Sequence, residues 1–113
     1  MPVDDPELQP FRCEVRTDQD TVRLRPVGDL DLATVPVVKA QLTELSSAGF
    51  THMVLDLRAV RFLDSSGVHL LWSWRADNVA DGLLFSVIAG PPAVQRVLEI
   101  AGLTGYLNYQ STE

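Results

Sequence analysis

A single cysteine, Cys13, occurs in 113 residues, so no internal disulfide can form and nothing asks for an oxidising compartment. No apolar run approaches the ~18–20 residues that span a bilayer, which argues against a membrane role. Lys and Arg number 9 against 15 Asp and Glu, for a net charge of −6. Such a chain lacks the clustered positive charge that displaces counterions from nucleic acid. The two histidines, His52 and His69, with one distant cysteine, make no metal-binding set. No G-x-x-x-x-G-K loop is present to cradle a nucleotide, and no G-x-S-x-G elbow to present a nucleophile. No metal and no other cofactor is therefore expected. What remains is ordinary globular composition, 46% hydrophobic and 21% charged, in a length that suits one domain with its own core. Residues 1–10, with Asp4, Asp5, Glu7 and three prolines, read as a flexible lead-in with no basic segment of a secretory signal. Residues 11–113 are expected to form the single domain, in the cytoplasm.

The apolar pattern changes period along the chain. Phe11, Cys13 and Val15 alternate with charged residues, as do Val22, Leu24 and Pro26 after a turn at Asp18-Gln19-Asp20. This predicts a half-buried hairpin, with Cys13 a small core residue and Pro26 at an edge or irregular position. Val35, Val38, Leu42 and Leu45 then fall at helical spacing between Thr34, a candidate N-cap, and Gly49. Met53–Leu57 and Leu83–Ala89 are nearly continuous apolar runs, the pattern of strands covered on both faces and hence of a central pair. A second helix is predicted over Ser66–Ala80, a third with Val94, Val97, Leu98 and Ala101 on its stripe, and a short last strand over Tyr106–Tyr109. Hairpin first, then alternating helix and strand, implies an α/β fold: a mixed central sheet of about four to five strands with helices packed on it.

Chemistry concentrates where the first apolar run leads, through Val60-Arg61-Phe62-Leu63, into Asp64-Ser65-Ser66-Gly67. Two hydroxyls and a carboxylate arrive at the start of a helix, whose unpaired N–H groups and partial positive charge favour an anion. A phosphate there gains hydrogen bonds, so a phosphorylatable serine is physically sensible. The plainer account makes Asp64 or Ser65 an N-cap and Gly67 a relief of crowding. On the second helix, Val68, Leu71, Trp72, Arg75 and Val79 form the expected core stripe, which leaves Trp74 on the opposite, exposed side as a candidate interface residue. Arg96 on the third helix reads as a solvated surface charge.

Four blocks in order resemble the STAS domain, specifically the small anti-sigma factor antagonists of bacteria. They are Gly28-Asp29-Leu30-Asp31, Val54-Leu55-Asp56-Leu57, Phe62-Leu63-Asp64-Ser65-Ser66-Gly67, and Pro92-Ala93-Val94-Gln95-Arg96 leading to Ala101-Gly102-Leu103. The resemblance implies a non-enzymatic partner-switching regulator. Its unphosphorylated form would bind an anti-sigma factor that is itself a serine kinase. Phosphorylation of the first motif serine, here Ser65, would release it, and a metal-dependent phosphatase would reverse the mark. It further implies a partner-binding surface of Asp29, Asp31, Asp64, Ser65, Ser66, Gly67 and His69, on a monomer or weak dimer. Three departures stand out: Gly67-Val68-His69 replaces a common Gly-Leu-Gly, Gly28-Asp29-Leu30-Asp31 replaces Gly-Glu-Leu-Asp, and the chain stops at Glu113, where relatives add a final helix.

Two other readings stay open at this point. One is a STAS subunit of a larger signalling scaffold, or a divergent copy with no sigma-factor output. The other is a serine hydrolase using Ser65 and His69, which the adjacency of Asp64 to Ser65 disfavours, because a triad needs the carboxylate behind the imidazole.

Overall fold

A computed structural model describes residues 10–110. The expected lead-in falls almost wholly on residues 1–9, outside the described residues. Strands β1 (Arg12–Asp18) and β2 (Thr21–Leu30) form the predicted antiparallel hairpin, with Asp18 opposite Thr21. Gln19 makes the tight turn in the left-handed region at φ 56°. Half-buried Cys13 packs against the core, and burial raises its thiol pKa.

β2 is twice the length that its alternation suggested, because it serves two partners in succession. Thr21–Leu24 runs parallel to β3 (His52–Asp56), and Gly28–Leu30 runs parallel to β4 (Val60–Leu63), with a register shift after Gly28. Pro26 sits between the two pairings, where β2 has left β3 and not yet met β4. A residue without an N–H is tolerated at such an interruption, so the expected irregular position is found inside the sheet rather than at its edge. β4 has no counterpart among the predicted strands, since its four residues bury only Val60 and Leu63 and leave Arg61 and Phe62 exposed.

β5 (Leu84–Ile88) pairs in parallel with β3, giving the order β1-β2-β3-β5 with β4 beside β2. Among the described residues the result is the expected mixed sheet of five strands, with three helices. The expected central pair is corrected, because β3 is flanked on both sides but β5 lies at the margin. Outside β5 the described residues place only a single bridge, Val87 to Tyr109. The predicted last strand shrinks to that bridge because Leu103 and Leu107 turn inward on a tight bend, with the N–H groups of Tyr106 and Leu107 donating to the Leu103 carbonyl. Asn108 still closes part of the β5 edge, its side-chain amide donating to the Phe85 carbonyl at 2.9 Å.

Helices α1 (Val35–Ser46), α2 (Ser65–Ala80) and α3 (Pro92–Ile100) cover the sheet. Leu24, Leu55, Leu57, Leu71, Val38 and Leu98 are among the fully buried side chains. The stripe assigned to α2 is corrected. Its buried face is Gly67, Leu70, Leu71, Trp74 and Asn78. Trp74 is 5% exposed, edge-on to Phe85 at 5.6 Å, whereas Trp72 is 46% exposed and Val79 54%. Gly67 causes the difference: with no side chain, it lets the first turn roll down onto β2 and β4, which turns the Trp74 side toward the sheet. Arg96 is exposed, as expected.

The last residue of β3 carries a buried charge. The Asp56 side chain is wholly buried and accepts from Arg25 Nε at 3.0 Å, Arg58 Nη2 at 2.8 Å and the Arg58 backbone N–H at 3.0 Å. Burial alone would raise its pKa. The Arg58 hydrogen bonds, with the charges of Arg25 and Arg58, outweigh that effect and hold the carboxyl below its ordinary 3.8. A carboxylate whose folded pKa is depressed contributes its full stabilisation above the unfolded pKa, and that contribution is lost as pH falls through the folded value. Asp56→Asn should therefore cost about 1.5–3 kcal/mol at neutral pH, the range for hydrogen bonds to a charged group. The variant should also approach wild type as pH drops below 3.8. Urea midpoints at pH 7 and pH 3 measure both; an equal gap at the two pH values would contradict the assignment.

Candidate functional site

The Ser65 region is assembled by β2 and β4. Pairing of Leu30 with Leu63 brings the end of β2 against the approach to α2, and the Asp64 backbone N–H donates to the Leu30 carbonyl at 3.2 Å. Asp64 is extended, and its Oδ1 accepts from the N–H groups of Ser66 at 2.8 Å and Gly67 at 3.2 Å. It is the N-cap, as the plainer account held. Gly67 is buried, and a Cβ there would run into Leu63 Cδ1 and lie 3.0 Å from the Leu30 carbonyl oxygen. Its contribution is the close seating of the helix on the sheet.

These contacts leave Ser65 exposed as the first residue of α2, with Ser66 half-buried behind it. His69, one turn along, is exposed, and its ring lies 5.9 Å from that of Trp72. One expectation changes here. The N–H groups of Ser66 and Gly67, which a phosphate at the helix start was expected to use, already belong to Asp64.

Asp29 and Asp31 lie beside this corner because Asp29 pairs with Phe62 in the β2–β4 ladder. Asp29 faces Arg61 across 3.7 Å. The Asp31 carboxylate is occupied by the entry to α1, accepting from the N–H groups of Ala33 at 3.0 Å and Thr34 at 3.1 Å. Thr34 is the N-cap residue, as expected, but its hydroxyl donates to the Asp29 carbonyl at 2.6 Å instead of capping the helix, and Asp31 fastens the turn just before it. Removing the Asp31 carboxylate thus loosens α1 before any partner is considered.

The acidic and hydroxyl residues named from sequence therefore do converge, and three apolar neighbours join them that sequence reasoning did not assign to the site. Leu32, in the loop between Asp31 and α1, is 78% exposed, and Phe62, opposite Asp29, is 52% exposed. Trp72, two turns beyond Ser65 on the same side of α2, adds a third exposed apolar side chain on the elements that meet here. Once β4 is recognised, the strand period sets Phe62 on the face opposite Leu63, although buried Val60 shares that face. Leu32 carries no comparable signal.

No bond joins Ser65 to a histidine among the described residues. His52, on β3, instead lies 2.8 Å from Ser86 Oγ on β5, and Ser86 is buried. A cavity of about 240 Å³ between α1 and α2, lined by Lys39, Leu42, Ser73, Trp74 and Asp77, does not include Ser65.

The fold and this corner define a class, and the chain belongs to the STAS domain family: residues 13–109 match the model described as "Mlab, STAS domain". Among its relatives, an anti-sigma F factor antagonist of Paenibacillus polymyxa is 30% identical over 95 residues, covering 82% of this chain and 80% of that protein. The anti-sigma-F factor antagonist RsfB of Mycobacterium tuberculosis is 29% identical over 76 residues, 67% of this chain, and that match spans 62% of RsfB's length. The crystal structure of an anti-sigma factor antagonist from Mycobacterium paratuberculosis shares the fold at a TM-score of 0.82 and 23% identity, covering 97% of this chain and 92% of the other. The Bacillus antagonist SpoIIAA shares it in two states. Its unphosphorylated form gives a TM-score of 0.73 at 24% identity, covering 92% of this chain and 89% of the other. Its phosphorylated form gives 0.68 at 23%, covering 92% of each.

The geometry separates the roles of Asp64 and Gly67. Gly67→Ala should destabilise the domain by about 1–3 kcal/mol through overpacking against Leu63 and the Leu30 carbonyl. Asp64→Ala should cost about 1 kcal/mol through loss of the cap. Denaturant titrations of both variants check this, and a Gly67→Ala protein as stable as wild type would refute the close seating.

Proposed function

We propose that this chain is an anti-sigma factor antagonist that works by partner switching, with Ser65 as the switch. Residues 11–113 act as one domain in the cytoplasm, as a monomer or weak dimer. The unphosphorylated form binds an anti-sigma factor bearing serine kinase activity. The kinase transfers the γ-phosphoryl group of ATP to Ser65 Oγ, releasing ADP, while the hydroxyl proton passes to a base of the kinase. A metal-dependent phosphatase returns the serine. The chain itself is a substrate and a binding surface, with no catalytic step of its own.

The observation that carries this reading is the exposed Ser65 hydroxyl on a capped, well-seated helix start, whose adjoining elements expose Leu32, Phe62 and Trp72. Apolar side chains around one modifiable hydroxyl suit a surface that binds when neutral and fails when charged. Burying a dianion against such a partner costs far more than burying a hydroxyl. Asp29, Asp31, Asp64, Ser66 and Gly67 hold the frame, and His69 lies at its rim. The antagonists among the relatives, and SpoIIAA with its two phosphorylation states, support the same assignment.

Co-purification from the native cell identifies the kinase, after which calorimetry and mass spectrometry test the switch. Phosphate should appear on Ser65 and not on Ser66. Ser65→Ala should bind as wild type and resist phosphorylation. Ser65→Asp should lose about 2 kcal/mol of binding, roughly thirtyfold in affinity, as for a central contact of an interface. Equal affinity of wild type and Ser65→Asp, or phosphate on Ser66 with Ser65 unmodified, would reject the proposal.

A further inference from the structure

A phosphate on Ser65 meets an unexpected environment. Two of the helix-start donors, Ser66 N–H and Gly67 N–H, are held by Asp64 Oδ1. The new dianion would therefore stand beside a carboxylate instead of replacing one, and like charges at this range repel. Its counter-charge has to come from another side chain.

Besides His69, the elements that meet at this corner, β4, α1 and α2, carry one cation each. Arg61 on β4 is turned to Asp29 at 3.7 Å. Lys39 on α1 lines the cavity with Ser73 and Asp77, two turns farther along α2. Arg75 is drawn to the other end of the helix, where its Nε donates to the Tyr106 carbonyl at 2.9 Å and its guanidinium lies 4.0 Å from the Tyr106 ring centroid. Of the acidic groups on adjoining segments, Asp31 is engaged by Ala33 and Thr34, and Asp29 by Arg61. His69 remains. It is exposed, lies at i+4 from Ser65 and so on the same face of α2, and is flanked by the Trp72 ring.

We infer that His69 is the internal counter-ion of phosphorylated Ser65, its imidazolium taking the negative charge that the Asp64-capped helix start cannot. This rests on Ser65 being the modified residue, and it adds what holds the modified state. The positive end of the helix dipole lies at this turn. Phosphate reverses that field, so modification and protonation are coupled, and the coupling is reciprocal by linkage. Histidine and phosphoserine side chains generally titrate between about pH 6 and 7, so the phosphorylated state is sensitive to pH in that range.

The test installs phosphoserine at position 65 by genetic encoding in the full chain, so it needs no kinase, and its outcome is independent of whether a kinase modifies Ser65 in the cell. The ³¹P resonance of the phosphoserine is titrated from pH 5 to 8. Its midpoint should lie about 0.2–0.4 pH unit lower in wild type than in His69→Gln, the shift equivalent to an exposed pair one helical turn apart. His69→Lys should restore the low midpoint, Arg61→Gln should leave it unchanged, and 1 M salt should abolish the difference. At pH 6.5 the ring ¹⁵N shifts of His69 should move toward the imidazolium pattern on phosphorylation, while those of His52, bonded to Ser86, stay in place. Identical midpoints in wild type and His69→Gln, or a midpoint that follows Arg61→Gln instead, would overturn the inference.

Discussion

β2 pairs with β3 as far as Leu24 and with β4 from Gly28 onward, and the geometry around Ser65 depends on that change of partner. The second pairing sets Leu30 beside Leu63, which places the Leu30 carbonyl where the Asp64 N–H can reach it. It also sets Asp29 beside Phe62, so the loop into α1 and the start of α2 become neighbours although over thirty positions separate them in sequence. The changeover needs a residue that does without a ladder donor and another with freedom of backbone. Pro26 and Gly28 supply them, Gly28 at φ 122° with its N–H donating to the Ala59 carbonyl at 3.1 Å.

Asp64 and Gly67 meet opposite demands at the same helix end. The carboxylate satisfies two orphan N–H groups, which anchors the first turn. The absent side chain at Gly67 lets that turn press on Leu30 and Leu63. Ser65, between them in sequence, is left with neither duty. A helix start held by its neighbours can change the chemistry of its outermost side chain without changing its position.

Much of this was legible in the sequence, for reasons that differ by element. The hairpin, the three helices and the apolar strands β3 and β5 carry strong periodicity over many residues, and they occur close to where that periodicity places them. β4 did not announce itself, because four residues with two turned outward hold too little pattern to separate a strand from a loop. The two α2 tryptophans exchanged places for a tertiary reason. Counting apolar residues favours a stripe through Val68, Trp72 and Val79, while the helix rotates to press its one glycine against the sheet, a contact no hydrophobicity count weighs. The Asp64-Ser65-Ser66-Gly67 motif was read correctly as a helix start, yet the owner of the N–H donors could not be told from composition, since Asp and phosphoserine compete for the same groups. Asp31 and Thr34 show a similar ambiguity: two capping residue types lie three positions apart, and the carboxylate takes the N–H groups of the turn before α1 while Thr34 holds the N-cap position without a side-chain cap.

That competition bears on how a switch at Ser65 would operate. Unwinding the first turn of α2 would cost the two Asp64 bonds and the seating of Gly67, with Leu70, Leu71 and Trp74 buried immediately behind. Full burial of a leucine is worth about 1.5–3 kcal/mol, so disturbing even part of that packing is costly. A phosphate at an exposed helix start makes at most one to three charge-assisted hydrogen bonds, too little to offset that loss. On the reading proposed above, the modification therefore leaves the fold standing and acts on the surface. Leu32, Phe62 and Trp72 keep their places while the group among them changes from a hydroxyl to a dianion. On that proposal the partner would be lost because its contact face would have to desolvate that charge, and the fold could remain rigid because nothing in it would have to move.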